Sequence, residues 1–261
     1  MSNRPYCANK LSLQVMKILI TNDDGIDAYG LTLLEQLAKT ISDDITIVAP
    51  MDNRSGTSQA ISLQNELHFS HITDNRYACS GNPADCVMLA LNLLFKDNRP
   101  DLVLSGINHG MNASDDVGYS GTVGAAREAA IVGIPAIAFS QRCGKLEADF
   151  DVAREFGKRV FDHALSVKLP DRHVLNVNFP STELSDVKGI RTATLDRHKM
   201  SDQIIAGSSP NHFSIGPLNQ RIETNPESDR FFLQDGYVTF TPLLVDTTAT
   251  TLLHNIPEIS L

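Results

Sequence analysis

The chain predicts an α/β fold: a mainly parallel sheet with helices on both faces, followed by a β-rich carboxyl-terminal extension. Three observations predict it. Short, apolar, β-branched runs alternate with segments whose apolar residues recur at helical spacing. Most of those runs stop at turn-forming residues, as strands buried on both faces do. The alternation then fails after Pro180, where Pro and Asn punctuate the sequence.

Met16-Lys17-Ile18-Leu19-Ile20 reads as the first buried strand and is closed by Thr21-Asn22-Asp23-Asp24-Gly25. Leu31, Leu33, Leu34, Leu37 and Ala38 form one helical face over Leu31 to Thr40. Ile45 to Ala49 is a second strand, ended by Pro50, and Arg76 to Cys79 is a weaker one. Asn82-Pro83 opens a helix, with Asn suited to the cap and Pro to the first helical position. Asp101 to Ser105 is a strand, followed by a Gly-rich loop to Gly121 and a helix of small residues. Pro135 to Phe139 and His173 to Phe179 are strands on either side of a helix over Val152 to Val167. Beyond Pro180, Ile190 to Thr194 suggests a strand, and Asp196 to Asn211 reads as polar loop. Ser228 to Leu233 suggests a short helix, and Gly236 to Thr241 another strand. This last region reads as an antiparallel appendage, so the expected division is 16–180 as core and 181–261 as extension packed on it.

Length and composition allow a large core: 261 residues, 42% hydrophobic and 20% charged. A net charge of −9 argues against nucleic-acid duplexes and anionic membranes as partners, since both attract basic surfaces. A small phosphorylated substrate remains compatible, because a metal ion can reverse the local field. Cys7, Cys79, Cys86 and Cys143 form no Cys-x-x-Cys pair and no zinc spacing with histidine. They read as thiols of a reducing, cytoplasmic setting, with a Cys79–Cys86 contact left open. No apolar run is long enough to span a bilayer. Residues 1–15 lack a secretory core and read as an extension outside the fold, or as the product of an upstream start codon.

The chemistry concentrates where strands end. In an open parallel sheet, ligands bind beyond the carboxyl ends of the strands. Asp23 and Asp24, adjacent at such an end, repel each other unless a positive group joins them. A hard divalent cation with oxygen ligands is the economical candidate, and Gly25 lets the backbone turn tightly beside it. By itself the motif also fits a polar loop in which Asn22 or Asp23 caps the next helix. Two further loops favour the cation. Pro50 to Ser58 supplies the Ser55 hydroxyl and the Gly56 backbone, with Arg54 as a candidate phosphate partner. Gly106 to Asn112 supplies the amide oxygens of Asn108 and Asn112. Two carboxylates, a hydroxyl and an amide oxygen make an incomplete shell suited to Mg²⁺ or Mn²⁺, leaving positions for water and phosphate. Ser120, Gly121 and Thr122 open a helix whose amino end favours an anion. His109 reads as a bystander more than as an acid, and Asp115-Asp116 as a loop-fixing pair.

These motifs resemble the SurE family, the survival-protein 5′/3′-nucleotidases. The resemblance lies in Ile18 to Gly25, Val48-Ala49-Pro50 with Ser55-Gly56, Gly81 to Val87 and Pro100 to Ser140. Leu175 to Asn178 and Gly236 to Val238 extend it, so it spans Met16 to about Pro242. It implies a Rossmann-like three-layer core and one divalent cation per subunit on Asp23, Asp24, Ser55 and Asn108. It also implies hydrolysis of nucleoside 5′- and 3′-monophosphates, with action on short polyphosphate, and a homodimer or homotetramer joined through a carboxyl-terminal arm. Within it, Asp23, Asp24 and Asn108 would be catalytic; Gly25, Ser55, Gly56, Asn112, Ser120, Gly121 and Thr122 would meet substrate. The chain departs from the family pattern at Asn82, Ala113-Ser114, Arg127 and Ala130, none of them a proposed ligand. Other classes fit less well. A haloacid-dehalogenase phosphatase spaces its two acids differently, and no Gly-x-Gly-x-x-Gly follows the first strand. A non-catalytic nucleotide-binding module would need the phosphate loops alone.

Overall fold

The structure, a computed structural model, describes residues 16–143, 150–198, 201–217 and 225–255. Residues 1–15, and Cys7 with them, lie outside that set.

A nine-stranded mixed sheet organises the chain. Its centre is β1 (Ile18–Thr21), with β2 (Ile45–Pro50) parallel on one side and β5 (Leu102–His109) parallel on the other. β4 (Arg76–Cys79) extends the sheet beyond β2; β6 (Ala136–Gln141) and β7 (His173–Phe179) extend it beyond β5, all parallel. Six strands therefore deliver their carboxyl ends to one edge. The chain leaves β1 first to one side and later to the other, which opens a crevice between the loops after β1 and β5.

The side chains of β1 alternate between two cores. Ile18 and Ile20 join a cluster with α1 (Tyr29–Ala38) and α4 (Asp151–Ser166). Leu19 joins the opposite cluster, with Cys86, Val87 and Leu91 and with the alanines of α3 (Gly121–Ile131). The chain reaches that face through α2 (Pro83–Leu89), whose start is fixed by the Asn82 N–H donating to Asp85 Oδ2 at 2.8 Å. The expected helices on both faces are present, and the fold is α/β with a mainly parallel sheet.

Three features were not anticipated or read differently. β3 (Phe69–Thr73), an exposed edge strand antiparallel to β4, has too weak an apolar pattern to stand out. β11 (Tyr237–Leu244) runs antiparallel against β7, and β8 (Gly189–Thr192) parallel to β11, so both complete the main sheet. The polar-loop reading of Asp196 to Asn211 is corrected: β9 (Ser201–Ala206) pairs antiparallel with β10 (Phe213–Pro217) in a separate hairpin. The β-branched pair Ile204-Ile205 meets Ser214-Ile215 across it, and Asn211 takes the left-handed turn position at φ 62°. The polar neighbours of Ile204-Ile205 had masked that short strand. The short helix α5 (Asp229–Gln234) forms where expected, capped by Ser228, whose hydroxyl accepts from the Phe231 N–H.

Candidate active site

The loop after β1 is a closed turn. The Asn22 amide donates to the Gly25 carbonyl at 2.8 Å, and its oxygen accepts from the Gly25 N–H at 3.3 Å. Gly25 sits at φ 108°, a conformation open to glycine, within reach of the Asp52 backbone. Helix α1 begins later, after Ala28, so neither Asn22 nor Asp23 caps it. Asn22 instead fixes the turn that presents the two carboxylates.

Asp23 is 3% exposed. Its Oδ1 accepts from the Thr122 hydroxyl at 2.5 Å, and its backbone carbonyl accepts from the Arg54 N–H at 2.7 Å. A Cβ at Gly121 would lie 2.8 Å from Asp23 Oδ2, so glycine is what lets α3 start against this carboxylate. Burial pushes the Asp23 pKa up to about 6; the Thr122 hydrogen bond opposes that rise and the neighbouring Asp24 adds to it. Burial raises Asp24 as well, although its Oδ2 accepts from the His109 N–H at 2.9 Å. No lysine or arginine forms an ion pair with either carboxylate among the described residues.

The other strand-end loops close round a cavity of about 570 Å³. Asp23, Ser55, Gly56, Asn108, His109, Asn112, Asp116 and Ser120 line it, together with Gly110, Met111, Tyr119, Ile204 and Ile215. Asp24 stands beside it through His109. The Asn108 amide nitrogen donates to the Gly110 carbonyl at 2.9 Å, which leaves the amide oxygen as this side chain's free polar group. The Ser55 N–H is held by Asn53 Oδ1 at 2.9 Å, and the loop is pinned by the Ser58 N–H donating to the Tyr119 carbonyl. A Cβ at Gly124 would come within 2.7 Å of the Ser58 carbonyl carbon, so α3 supports this loop directly.

Several expected site residues serve as supports. Ser120 Oγ caps α3 by accepting from the Val123 N–H at 3.0 Å while still lining the cavity. Thr122 reaches Asp23, and it lies outside the cavity lining, as do Gly25 and Gly121. Arg54 turns away from the cavity: its Nη2 donates to the Ser80 carbonyl at 2.9 Å. Asn112 is clasped by β7 and β6. Its N–H donates to Asn178 Oδ1, its carbonyl accepts from the Asn176 and Asn178 amides, and its own amide donates to Ser140 Oγ.

Other contributors had no local signal in the sequence. Asp229, at the start of α5 and fully buried, accepts from the Ser114 N–H at 2.9 Å and the Asp196 N–H at 3.2 Å. It ties the loop after Asn112 to the carboxyl-terminal region. The Cys79–Cys86 contact left open by the sequence is present: the two buried thiols act on each other electrostatically and are free of disulfide.

The family model described as survival protein SurE matches residues 18–202, more than half of the chain. The chain belongs to the SurE family. A 5′-nucleotidase SurE of Vibrio cholerae serotype O1 is 40% identical over 237 residues, covering 90% of this chain and 93% of the relative. A 5′-nucleotidase SurE of Methylobacterium radiotolerans is 38% identical over 240 residues, covering 89% and 94%. The crystal structure of the SurE protein from Aquifex aeolicus superposes with a TM-score of 0.81 at 31% identity, covering 92% of this chain and 98% of that one. The SurE match thus extends over the β1, β2 and β5 loops and into the hairpin. No helix among the described residues is long and apolar enough to cross a membrane.

Proposed function

We propose that the chain is a divalent-metal-dependent phosphomonoesterase that hydrolyses nucleoside 5′- and 3′-monophosphates to nucleoside and phosphate, and also short polyphosphate. The observation that carries this reading is the Asp23–Asp24 pair. Two neighbouring carboxylates, both pushed up by burial and without a lysine or arginine ion pair among the described residues, sit at the carboxyl end of the central strand beside a substrate-sized cavity. The names of the relatives support the 5′-nucleotidase part.

The residues present fit a hard cation. The donors are all oxygens: two carboxylates, the Ser55 hydroxyl and the Asn108 amide oxygen. No group of three or more His, Cys, Asp or Glu side chains that could hold a metal occurs among the described residues. Asp23, Asp24, Ser55 and Asn108 would hold one Mg²⁺ or Mn²⁺ per subunit and leave room for water and phosphate. When bound, such a cation supplies Lewis acidity toward phosphoryl oxygens and a lowered pKa for water.

The chain's own groups then divide the work. Asp23 lines the cavity and orients the attacking water, held in place by Thr122. Asp24, fixed by the His109 N–H, anchors the cation. Asn108, Ser55 and the amino end of α3 offset charge on the transferring phosphoryl group. Gly25, Gly56, Asn112, Ser120, Gly121 and Thr122 shape or support the phosphate-binding walls. In the same reading residues 16–180 carry catalysis, and residues 181–261 carry assembly into a homodimer or homotetramer. Ile205 and Phe213 of the hairpin, 43% and 68% exposed, are the apolar side chains that such an arm would bury against another subunit.

Phosphate release from adenosine 5′-monophosphate, measured with Mg²⁺ or Mn²⁺ and after verified metal removal, tests the proposal. Turnover is expected only with metal. Full turnover in excess chelator would defeat it.

A further inference from the structure

The catalytic cavity has two kinds of wall. Asp23, Ser55, Gly56, Asn108 and Ser120 come from strand-end loops, the end of β5 and the start of α3, and they present oxygen and backbone groups. Met111, Tyr119, Ile204 and Ile215 are apolar or aromatic. The two isoleucines come from the β9–β10 hairpin, far from the other lining residues in sequence. They are directly opposed in its register, Ile215 to Ile204, and so project from the same face. They remain 63% and 71% exposed, as side chains of an open cavity wall do. A phosphoryl group and its cation need oxygen donors, not an isoleucine pair, and a cavity of about 570 Å³ is larger than they fill.

We propose that the Ile204–Ile215 pair of the hairpin, with Tyr119 across the same cavity, binds the nucleobase of the substrate. This rests on the nucleotidase reading of the site. Every base has a flat apolar face, so an aliphatic wall and an aromatic ring can grip it without reading a donor–acceptor pattern. Such a grip accepts purines and pyrimidines alike and leaves the phosphate to the strand-end loops. The hairpin is then a specificity element for nucleotides over bare sugar phosphates.

The test compares two substrates on the metal-loaded full chain: adenosine 5′-monophosphate and ribose 5-phosphate, which has no base. In an Ile204→Ala/Ile215→Ala double variant, kcat/KM for the nucleotide is expected to fall about tenfold or more, chiefly through KM. For ribose 5-phosphate it is expected to stay within about twofold. An Ile204→Val/Ile215→Val variant retains β-branching and strand propensity, and should lose less. The proposal is overturned by an equal loss on both substrates, which marks a structural or subunit-contact role, or by no loss on the nucleotide. Light scattering on each variant identifies the subunit-contact case. A wild-type chain that hydrolyses ribose 5-phosphate but no nucleotide overturns the nucleotidase reading itself, and this proposal with it.

Discussion

The Thr122 hydroxyl donates to Asp23 Oδ1 at 2.5 Å, joining the first turn of α3 to the end of β1 across 99 residues of sequence. One bond thereby fixes the carboxylate that lines the cavity and restrains the rise in its pKa that burial causes. Thr122→Val keeps the shape and removes the donor. Turnover is expected to fall ~10–100-fold, the usual cost of losing a group that orients a metal ligand. Stability should fall by only about 1 kcal/mol. Phosphate-release kinetics beside urea denaturation separate the two effects, and unchanged turnover would remove Thr122 from the site.

Asp24→Asn should weaken metal affinity and turnover by at least ~10–100-fold while leaving the fold intact. The amide oxygen can still accept the His109 N–H, and the substitution relieves carboxylate repulsion in the metal-free protein. Turnover titrated against limiting metal, with thermal melts in chelator, tests both halves.

The Asp23 shift sets a pH dependence. Its folded pKa of about 6 lies above the ordinary value of 3.8. The native metal-free chain therefore holds a proton that the unfolded chain releases earlier. Stability from this group is full below pH 3.8 and is lost as pH rises through about 6. In chelator the melting temperature of Asp23→Asn should consequently fall less than wild type over that window. Metal binding displaces the same proton, so apparent affinity should climb with pH to about 6 and then level. Calorimetric titrations showing affinity flat from pH 5 to 7 would contradict the assignment.

Asp229→Ala should destabilise the chain by about 3 kcal/mol, because the buried N–H groups of Ser114 and Asp196 and the part-buried N–H of Arg230 lose their acceptor. The loop carrying Asp115 and Asp116 should exchange amide hydrogens faster. A change below about 0.5 kcal/mol would show that this contact is dispensable.

Replacing Ser201–Pro217 with a short Gly-Ser linker should reduce the size of the assembly seen by light scattering while the main sheet remains folded. An assembly of unchanged size would move the subunit contact elsewhere.

Much of the site was legible because its parts are local. Asp23-Asp24-Gly25 and Ser55-Gly56 each follow a short apolar strand, Asn108 lies in the last residues of another, which runs on to His109 rather than ending at Ser105, and a parallel sheet collects such ends on one edge. What escaped depends on contacts distant in sequence. Nothing around Ile204 or Ile215 indicates that they share a cavity with Asn108. Asn176 and Asn178 read as part of a strand, but their grip on Asn112 exists only in the folded sheet. Arg54 suited a phosphate by type, yet the Ser80 carbonyl claims it. The β9 strand was hidden because its apolar residues are few and exposed.

The register of β11 has a consequence for the order in which the molecule becomes competent. Thr239 lies opposite Asn178 and Thr241 opposite Asn176, so β11 closes the open flank of the strand that clasps Asn112. By the time a ribosome has made residue 124, the proposed cation ligands and the helix start behind them have all been synthesised. The strand that braces their outer neighbour is more than a hundred residues away. A nascent or truncated chain that stops before Tyr237 thus contains every proposed cation ligand but lacks the strand that pairs with the outer side of β7.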